Sequence, residues 1–431
     1  MDRNIPCSMC DELPHHSKFR HCIRHSLEGR RQQFVEFVDR TLLLHSGDTI
    51  DFLRLTFDYN IKYGYTSRIC TWIRLILMSN IRVLELSFAQ NIKFPLNDLK
   101  SNESGTFELS NGPYVSESLK ILTLNFCKFK LANFKVFRSL RRIVLKQVLL
   151  LEGSIGDIVS KCPLLEDFHL FFCNIHRRYF LYEGDLQLKN LSIRRCTINT
   201  QFDIRVNFSA PRLLSLVIEE EKFRCFTINK VSHVNYVGLF IEPPFISDRG
   251  DALRAFLLDV RHVKSLELSS WCVQIMKSLC TSFFNLKHLR LHLVLTKQEL
   301  PGISCLLSSC PYLETLALEV DFFNEQNWVF RTPVSLSFDE EQFWKSESLR
   351  FVSLLNFLKT VDIDGFVGGN FDIPLVEFLL EKSMVLECMT INCKSNNSGM
   401  SSEEYSHFIE TTSKKVLHMQ RASSQARVEF F

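Results

Sequence analysis

The feature that most constrains this chain is a spacing. The pattern apolar-x-x-apolar-x-apolar recurs along it, with its last position at Leu55, Leu86, Leu124, Leu145, Leu170, Ile193, Ile218, Leu239, Leu268, Leu291, Leu318, Ile363 and Ile391. All but two of the gaps between these anchors lie between 21 and 31 residues; the exceptions, 38 and 45, mark insertions. In the closing apolar-x-apolar triplet the two apolar side chains point to one face of a strand and the residue between them to the other. A unit of this length cannot bury its own apolar face. The spacing therefore demands that units stack side by side, with the aliphatic rows inside and the intervening residues outside.

A repeat of this length built on L-x-x-L-x-L is the leucine-rich signature, one short strand per repeat. Three copies carry a cysteine three residues past the anchor, at Cys127, Cys173 and Cys196, in "LKILTLNFC", "LEDFHLFFC" and "LKNLSIRRC". Their shared register assigns them to the slot where the chain leaves the strand and turns inward, not to metal or redox chemistry. "SIGDIVSKCPLLE" and "GISCLLSSCPYLE" are near-duplicates in which Ile155, Ile158 and Val159, and Ile303, Leu306 and Leu307, stand seven, four and three residues before Cys162 and Cys310. That spacing is one face of a short helix, which Pro163 and Pro311 prevent from continuing. Other repeats have room for a turn only. The expected fold is α/β: an irregular leucine-rich-repeat solenoid of short parallel strands, with helices and turns on its convex side.

Bulk composition narrows the function. The 431 residues carry 51 Lys plus Arg against 48 Asp plus Glu, a formal charge of +3, so no net basic excess points to nucleic acid or an anionic membrane. The N-terminus lacks the apolar core of a signal peptide, and no run of about 18 uncharged apolar residues is present to span a bilayer. Fifteen cysteines, scattered singly through apolar runs, read as reduced thiols of a cytoplasmic or nuclear protein.

Three stretches together resemble the plant F-box proteins that carry leucine-rich repeats and a C-terminal FBD segment. "FVEFVDRTLLLHSGDTIDFLRLTF" (34–57) is similar to the segment that follows the F-box, and "WIRLILMSNIRVLELSF" (72–88) to the next block. "LKTVDIDGFVGGNFDIPLVEFLLEKSMVLECMTI" (358–391) resembles the FBD segment, a strand–helix–strand cap with Val361 and Ile363 on its first strand and Leu375, Phe378, Leu379 and Leu380 on its helix. The resemblance implies a substrate-recognition subunit of an SCF-type (cullin-RING) ubiquitin ligase. It holds a protein target on the solenoid, while an F-box docks on a Skp-type adaptor. "DRNIPCSMCDELPHHSKFRHCIRH" (2–25), with a possible remnant at Asp11–Leu13, lacks the apolar helical run and the Trp-containing end of such a box, which leaves a stand-alone protein-binding module as the alternative. The expected divisions are a degenerate leader, an F-box remnant at most, at 1–33; the solenoid at 34–345; an FBD-like region at 346–420; and a tail at 421–431.

The leader contains Cys7, Cys10, His15, His16, His21, Cys22 and His25. These are zinc-ligand residue types, but without finger spacing or apolar neighbours to pack around a site, and no metal or other cofactor is expected. "GFVGGN" (365–370) follows a strand without the spacing of a nucleotide loop and reads as a turn. No nucleophile, metal or phosphate motif argues for an enzyme. The expected site is the concave strand face, where the residues flanking the anchors include Phe171, Asn190, Ser192, Arg194, Tyr236, Phe240, Glu267, His288, Arg290 and His292. Tyr and Arg on a rigid surface are favoured in protein-binding hot spots, so the expected partner is a protein whose identity the sequence does not reveal.

Overall fold

The structure is a computed structural model. It describes residues 20–24, 31–44, 50–88, 106–109, 114–130, 137–152, 158, 160–175, 180–185, 187–198, 206–220, 226–229, 231–241, 250–277, 282–320, 340–347, 355–369, 372–393 and 402–431. The chain divides into two compact units, residues 1–182 with 196–201 and residues 183–195 with 202–431.

In the first unit, strands β1 (Arg20–Arg24), β2 (Phe52–Thr56), β3 (Val83–Ser87), β4 (Ile121–Asn125), β5 (Arg142–Lys146) and β6 (Asp167–Phe171) pair in chain order, all parallel. Their register places Leu55, Leu86, Leu124, Leu145 and Leu170 directly opposite one another. Helix α1 (Arg31–Leu44) packs on α2 (Thr66–Met78), whose buried Ile69, Trp72, Ile73 and Ile76 follow helical spacing. Trp72 Nε1 donates to Asp39 Oδ1 at 2.6 Å and ties the pair together. A second, smaller parallel sheet runs through Phe107–Leu109, Cys127–Lys130, Leu149–Glu152, Asn174–Ile175 and Thr197–Ile198, so these repeats return through short strands.

The cysteine slot follows from backbone geometry. Phe126, Gln147, Phe172 and Arg195 each follow a strand and each adopt a left-handed conformation, with φ of 55°, 52°, 53° and 49°. This bend swings the next side chain inward, and Cys127, Val148, Cys173 and Cys196 are all buried. Cys173 Sγ also donates to Leu145 O at 3.3 Å. Burial pushes the Cys127 thiol far above its ordinary range.

The second unit continues the same design. Its strands are β7 (Asn190–Arg194), β8 (Ser215–Glu220), β9 (Tyr236–Ile241), β10 (Ser265–Ser269), β11 (His288–Leu293), β12 (Thr315–Val320), β13 (Thr360–Phe366), β14 (Cys388–Cys393) and β15 (Arg427–Phe430). They too are parallel and in chain order. Ile193, Ile218, Leu239, Leu268, Leu291, Leu318, Ile363 and Ile391 form one row. Of the thirteen anchors read from the spacing, none is more than 3% exposed.

Between strands lie α3 (Gly250–Asp259), α4 (Ser270–Met276), α5 (Leu300–Ser309), α6 (Glu340–Glu347), α7 (Asp372–Lys382) and α8 (Ser402–Leu417). Helix α5 is the one predicted from "GISCLLSSCP", with Ile303, Leu306 and Leu307 fully buried. Its Gly302 lies so close to α4 that an added Cβ would stand 1.9 Å from Val273 O. Just ahead of it, the buried Glu299 accepts from Val294 N at 3.1 Å and Thr296 N at 2.7 Å and closes the turn after β11.

The segment resembling an FBD unit is strand, helix, strand: β13, α7 and β14. Gly365, at φ 82°, passes so close to the preceding coil that a Cβ would meet Val320 O at 2.1 Å. Asp372 opens α7 and accepts from Val367 N at 2.8 Å, holding the "GFVGGN" turn, whose Asn370 lies outside the described residues. Within the stretch read as leader, residues 20–24 form β1, and within the stretch read as tail, residues 427–430 form β15, which pairs with β14. Of the leader's cysteines and histidines, Cys7, Cys10, His15, His16 and His25 lie outside the described residues.

Candidate protein-binding face

The alternation that buries the anchors projects the intervening residues from the other side of the sheet. In the second unit these form three rows. The first runs Asn190, Ser215, Tyr236, Ser265, His288, Thr315, and the second Ser192, Val217, Gly238, Glu267, Arg290, Ala317. The third includes Arg194, Glu219 and Phe240, and further along Ser269, His292 and Glu319. Nine of the ten residues expected at the site therefore share this face. Phe171 occupies the equivalent outward position of β6 in the first unit, with Lys146 Nζ 5.7 Å from its ring centre and His169 beside it.

The face is a connected network. His292 Nε2 meets Glu267 Oε1 at 2.7 Å, and His292 Nδ1 meets Glu319 Oε2 at 3.0 Å. Tyr236 donates its hydroxyl proton to Glu267, and Arg290 pairs with Glu319. The His292 ring packs edge-on against Phe240 at 5.0 Å, and the Arg194 guanidinium lies 5.6 Å from the Phe240 ring centre. At one end Glu219 receives Arg195 at 2.5 Å and Arg194 at 3.5 Å. At the other, His288 Nδ1 lies 2.5 Å from Thr315 Oγ1.

Burial pushes the Glu267 carboxyl up, but hydrogen bonds from His292 and Tyr236 and the nearby Arg290 charge outweigh it, and the group titrates below the usual carboxylate range. Burial and the bond to Glu267 hold the Tyr236 phenol well above its ordinary range.

Gly238 makes this packing fit. A Cβ there would stand 3.0 Å from Tyr236 Oη and 3.2 Å from Phe240 Cε2, so both aromatic rings lean over the bare backbone. The middle row is closed off only over its first three positions, where Gly238 too is buried. Ser192 and Val217 are buried, and Arg194 Nε donates to Ser192 Oγ at 3.3 Å. Ser192 was expected among the presented residues; it supports Arg194 instead.

Sequence reasoning missed Glu219, Gly238 and Glu319. Glu319 had a readable signal, since it follows Leu316-x-Leu318 at the position that Phe240 and His292 hold in their repeats. Gly238 had none, because its role depends on what leans over it.

Both nitrogens of His292 face carboxylates, Glu267 on one side and Glu319 on the other. Among the described residues no group of three His, Cys, Asp or Glu is arranged to hold a metal ion. The network fixes long side chains in one geometry before any partner arrives, and that preorganisation lowers the entropic cost of binding.

Stacked parallel strands, one per repeat of about two dozen residues, with an aliphatic row inside and a set polar face outside, define a leucine-rich-repeat interaction scaffold. The chain belongs to the leucine-rich-repeat family described as At1g61320/AtMIF1, LRR domain, whose model matches residues 41–429. Among its relatives are several plant proteins. It is 25% identical over 333 residues to an Arabidopsis thaliana protein named for F-box, FBD and LRR-repeat segments, At4g03220; the match covers 74% of this chain and 64% of that protein. It is 27% identical over 306 residues to a protein named as FBD-associated F-box, At5g53635, covering 66% and 68%. To the F-box protein At3g62230 it is 22% identical over 346 residues, covering 78% and 71%, all in the same species. The family resemblance drawn from the sequence is thereby shown.

Among the described residues no helix is long and apolar enough to cross a membrane.

Proposed function

We propose that this chain recognises a protein target for an SCF-type (cullin-RING) ubiquitin ligase, holding it on the outward face of β7–β12. The observation that carries the binding role is the preassembled network of Tyr236, Glu267, His292, Glu319 and Arg290 beside Phe240. It sets an aromatic and charged surface on a rigid scaffold, the composition that hot spots favour. Support for the ligase role comes from relatives named as F-box proteins. In this reading ubiquitin transfer belongs to other subunits, and the protein works in cytoplasm or nucleus.

The second reading is a stand-alone leucine-rich-repeat module that binds its partner without delivering it for ubiquitination. Residues 20–24 pair with β2 as a strand, so they join the solenoid sheet rather than forming a separate adaptor-binding helix. A binding titration of the purified chain against a Skp-type adaptor separates the two. Association at micromolar adaptor supports the ligase role, and none at that concentration assigns the chain to the stand-alone class.

A further inference from the structure

Each repeat of the second unit enters its strand through a tight turn, and four consecutive turns expose large apolar side chains. Phe284 is 63% exposed, Tyr312 50%, Phe357 47% and Met384 60%, with Val385 beside it at 41%. These turns belong to neighbouring coils. The backbone N–H of Glu314 bonds Lys287 O, that of Lys359 bonds Glu314 O and that of Glu387 bonds Lys359 O, at 2.8–2.9 Å. The Tyr312 and Phe357 rings lie 5.2 Å apart. The result is one apolar ridge, roughly 15 Å long at the ~4.8 Å spacing of adjacent strands. Scattered single apolar residues are ordinary on a surface; a contiguous ridge marks an interaction site.

The charges along the ridge indicate the partner. Two or three residues after each apolar side chain, at the first position before the strand, stand Lys287, Glu314, Lys359 and Glu387 in turn; Lys287 Nζ lies 2.7 Å from Glu314 Oε1 within the chain, and both remain partly exposed. The series alternates in sign and reverses onto itself with opposite charge. Turning a second copy about a two-fold axis between the Glu314 and Lys359 coils sets Glu314 of one copy against Lys359 of the other, and Lys287 against Glu387. The same rotation sets Tyr312 against Phe357 and Phe284 against Met384. The next equivalent positions outward are Lys264 and Ala426, which the rotation sets against each other.

We propose that this ridge is a self-association surface on which two copies of the chain meet about that axis. A two-fold contact is isologous, so one patch must complement itself, and this one does so in both shape class and charge. Its small extent places it among weak, concentration-dependent contacts. The proposal does not depend on the protein-binding face, which lies on the strands themselves.

Sedimentation velocity of the full chain across a micromolar concentration series tests it. The wild type is expected to shift from monomer to dimer as concentration rises. Lys359→Glu and Glu314→Lys, each alone, set like charges across the axis and are expected to weaken dimerisation at least tenfold. An equimolar mixture of these two variants sets Glu314 against Lys359 and the two swapped residues against each other, and is expected to recover it. Circular dichroism of both variants confirms that each is folded. A wild type that stays monomeric throughout, or a mixture that associates no better than either variant alone, overturns the proposal.

Discussion

Replacing Gly302 with Ala should destabilise the second unit, although a helix-propensity argument gives the opposite sign. Gly302 lies inside α5, where exchanging Gly for Ala in an exposed helix gains about 1 kcal/mol. Here the new methyl would sit 1.9 Å from Val273 O and 2.7 Å from Val273 C. Both are backbone atoms of α4 that no rotamer change can move aside, so the two helices must separate by more than an ångström. Overpacking of that kind costs about 1–3 kcal/mol, and a rigid carbonyl places this case at the top of the range. Subtracting the propensity gain leaves a net loss of about 2 kcal/mol, or a fall in Tm of about 4–8 °C for a domain of 150–250 residues. Gly369→Ala is the control. Its Cβ would meet nothing closer than Val367 Cγ2 at 4.0 Å, and the change should lie within about 0.5 kcal/mol of wild type. Urea and thermal denaturation followed by far-ultraviolet circular dichroism measure both. A Gly302→Ala variant more stable than wild type would refute the helix packing that underlies the coil.

Leu291→Ala, in the fully buried anchor row, should cost about 2–5 kcal/mol in the same urea titration. Glu267→Gln should lower stability at neutral pH by about 1–2 kcal/mol through loss of charge-assisted hydrogen bonds. Because Glu267 titrates lower when folded than its ordinary 4.5, its contribution is complete above that value and disappears as pH falls through the folded value; the gap between variant and wild type should therefore close in acid. Equal destabilisation at every pH would contradict the network. In native protein, alkylation read by mass spectrometry should spare Cys127, Cys162, Cys173, Cys196, Cys272 and Cys310, all buried. The Cys162 thiol is pushed up to about 12 by burial, so it stays protonated at alkaline labelling pH, whereas Cys305, Cys388 and Cys393 are partly exposed and should react before these six.

The core could be read from the sequence because it depends on a period. Ile50, Leu53 and Leu55 suffice to place one rung, and the spacing places the other twelve. The inward turn at Cys127, Cys173 and Cys196 was readable as a register, but its cause was not. The bend is made by Phe126, Phe172 and Arg195 in left-handed backbone, a conformation that local sequence rules reserve for Gly and Asn. Strands β1 and β15 escaped because "RHCIR" and "RVEF" are short and polar; what makes them strands is an edge already present in β2 and β14. The outward face was predictable as a list of positions and not as a site. Glu267, His292 and Glu319 are 25 and 27 residues apart in the chain and meet only because the coils are in register. Ser192 is taken up by Arg194, whose Nε donates to its hydroxyl, and the room that Gly238 leaves for Tyr236 and Phe240 shows only once the strands are side by side.

The claim that the outward face of β7–β12 is where a protein docks can be tested by site-specific photocrosslinking in plant extract. A photoreactive residue would replace Ser265 on that face in one sample, and the exposed Leu258 on α3 in another. The binding-face position should capture a discrete protein, identifiable by mass spectrometry, whose yield drops when Glu267→Gln is added. Capture from the Leu258 position alone, or capture from Ser265 that Glu267→Gln leaves unchanged, would place binding elsewhere on the molecule.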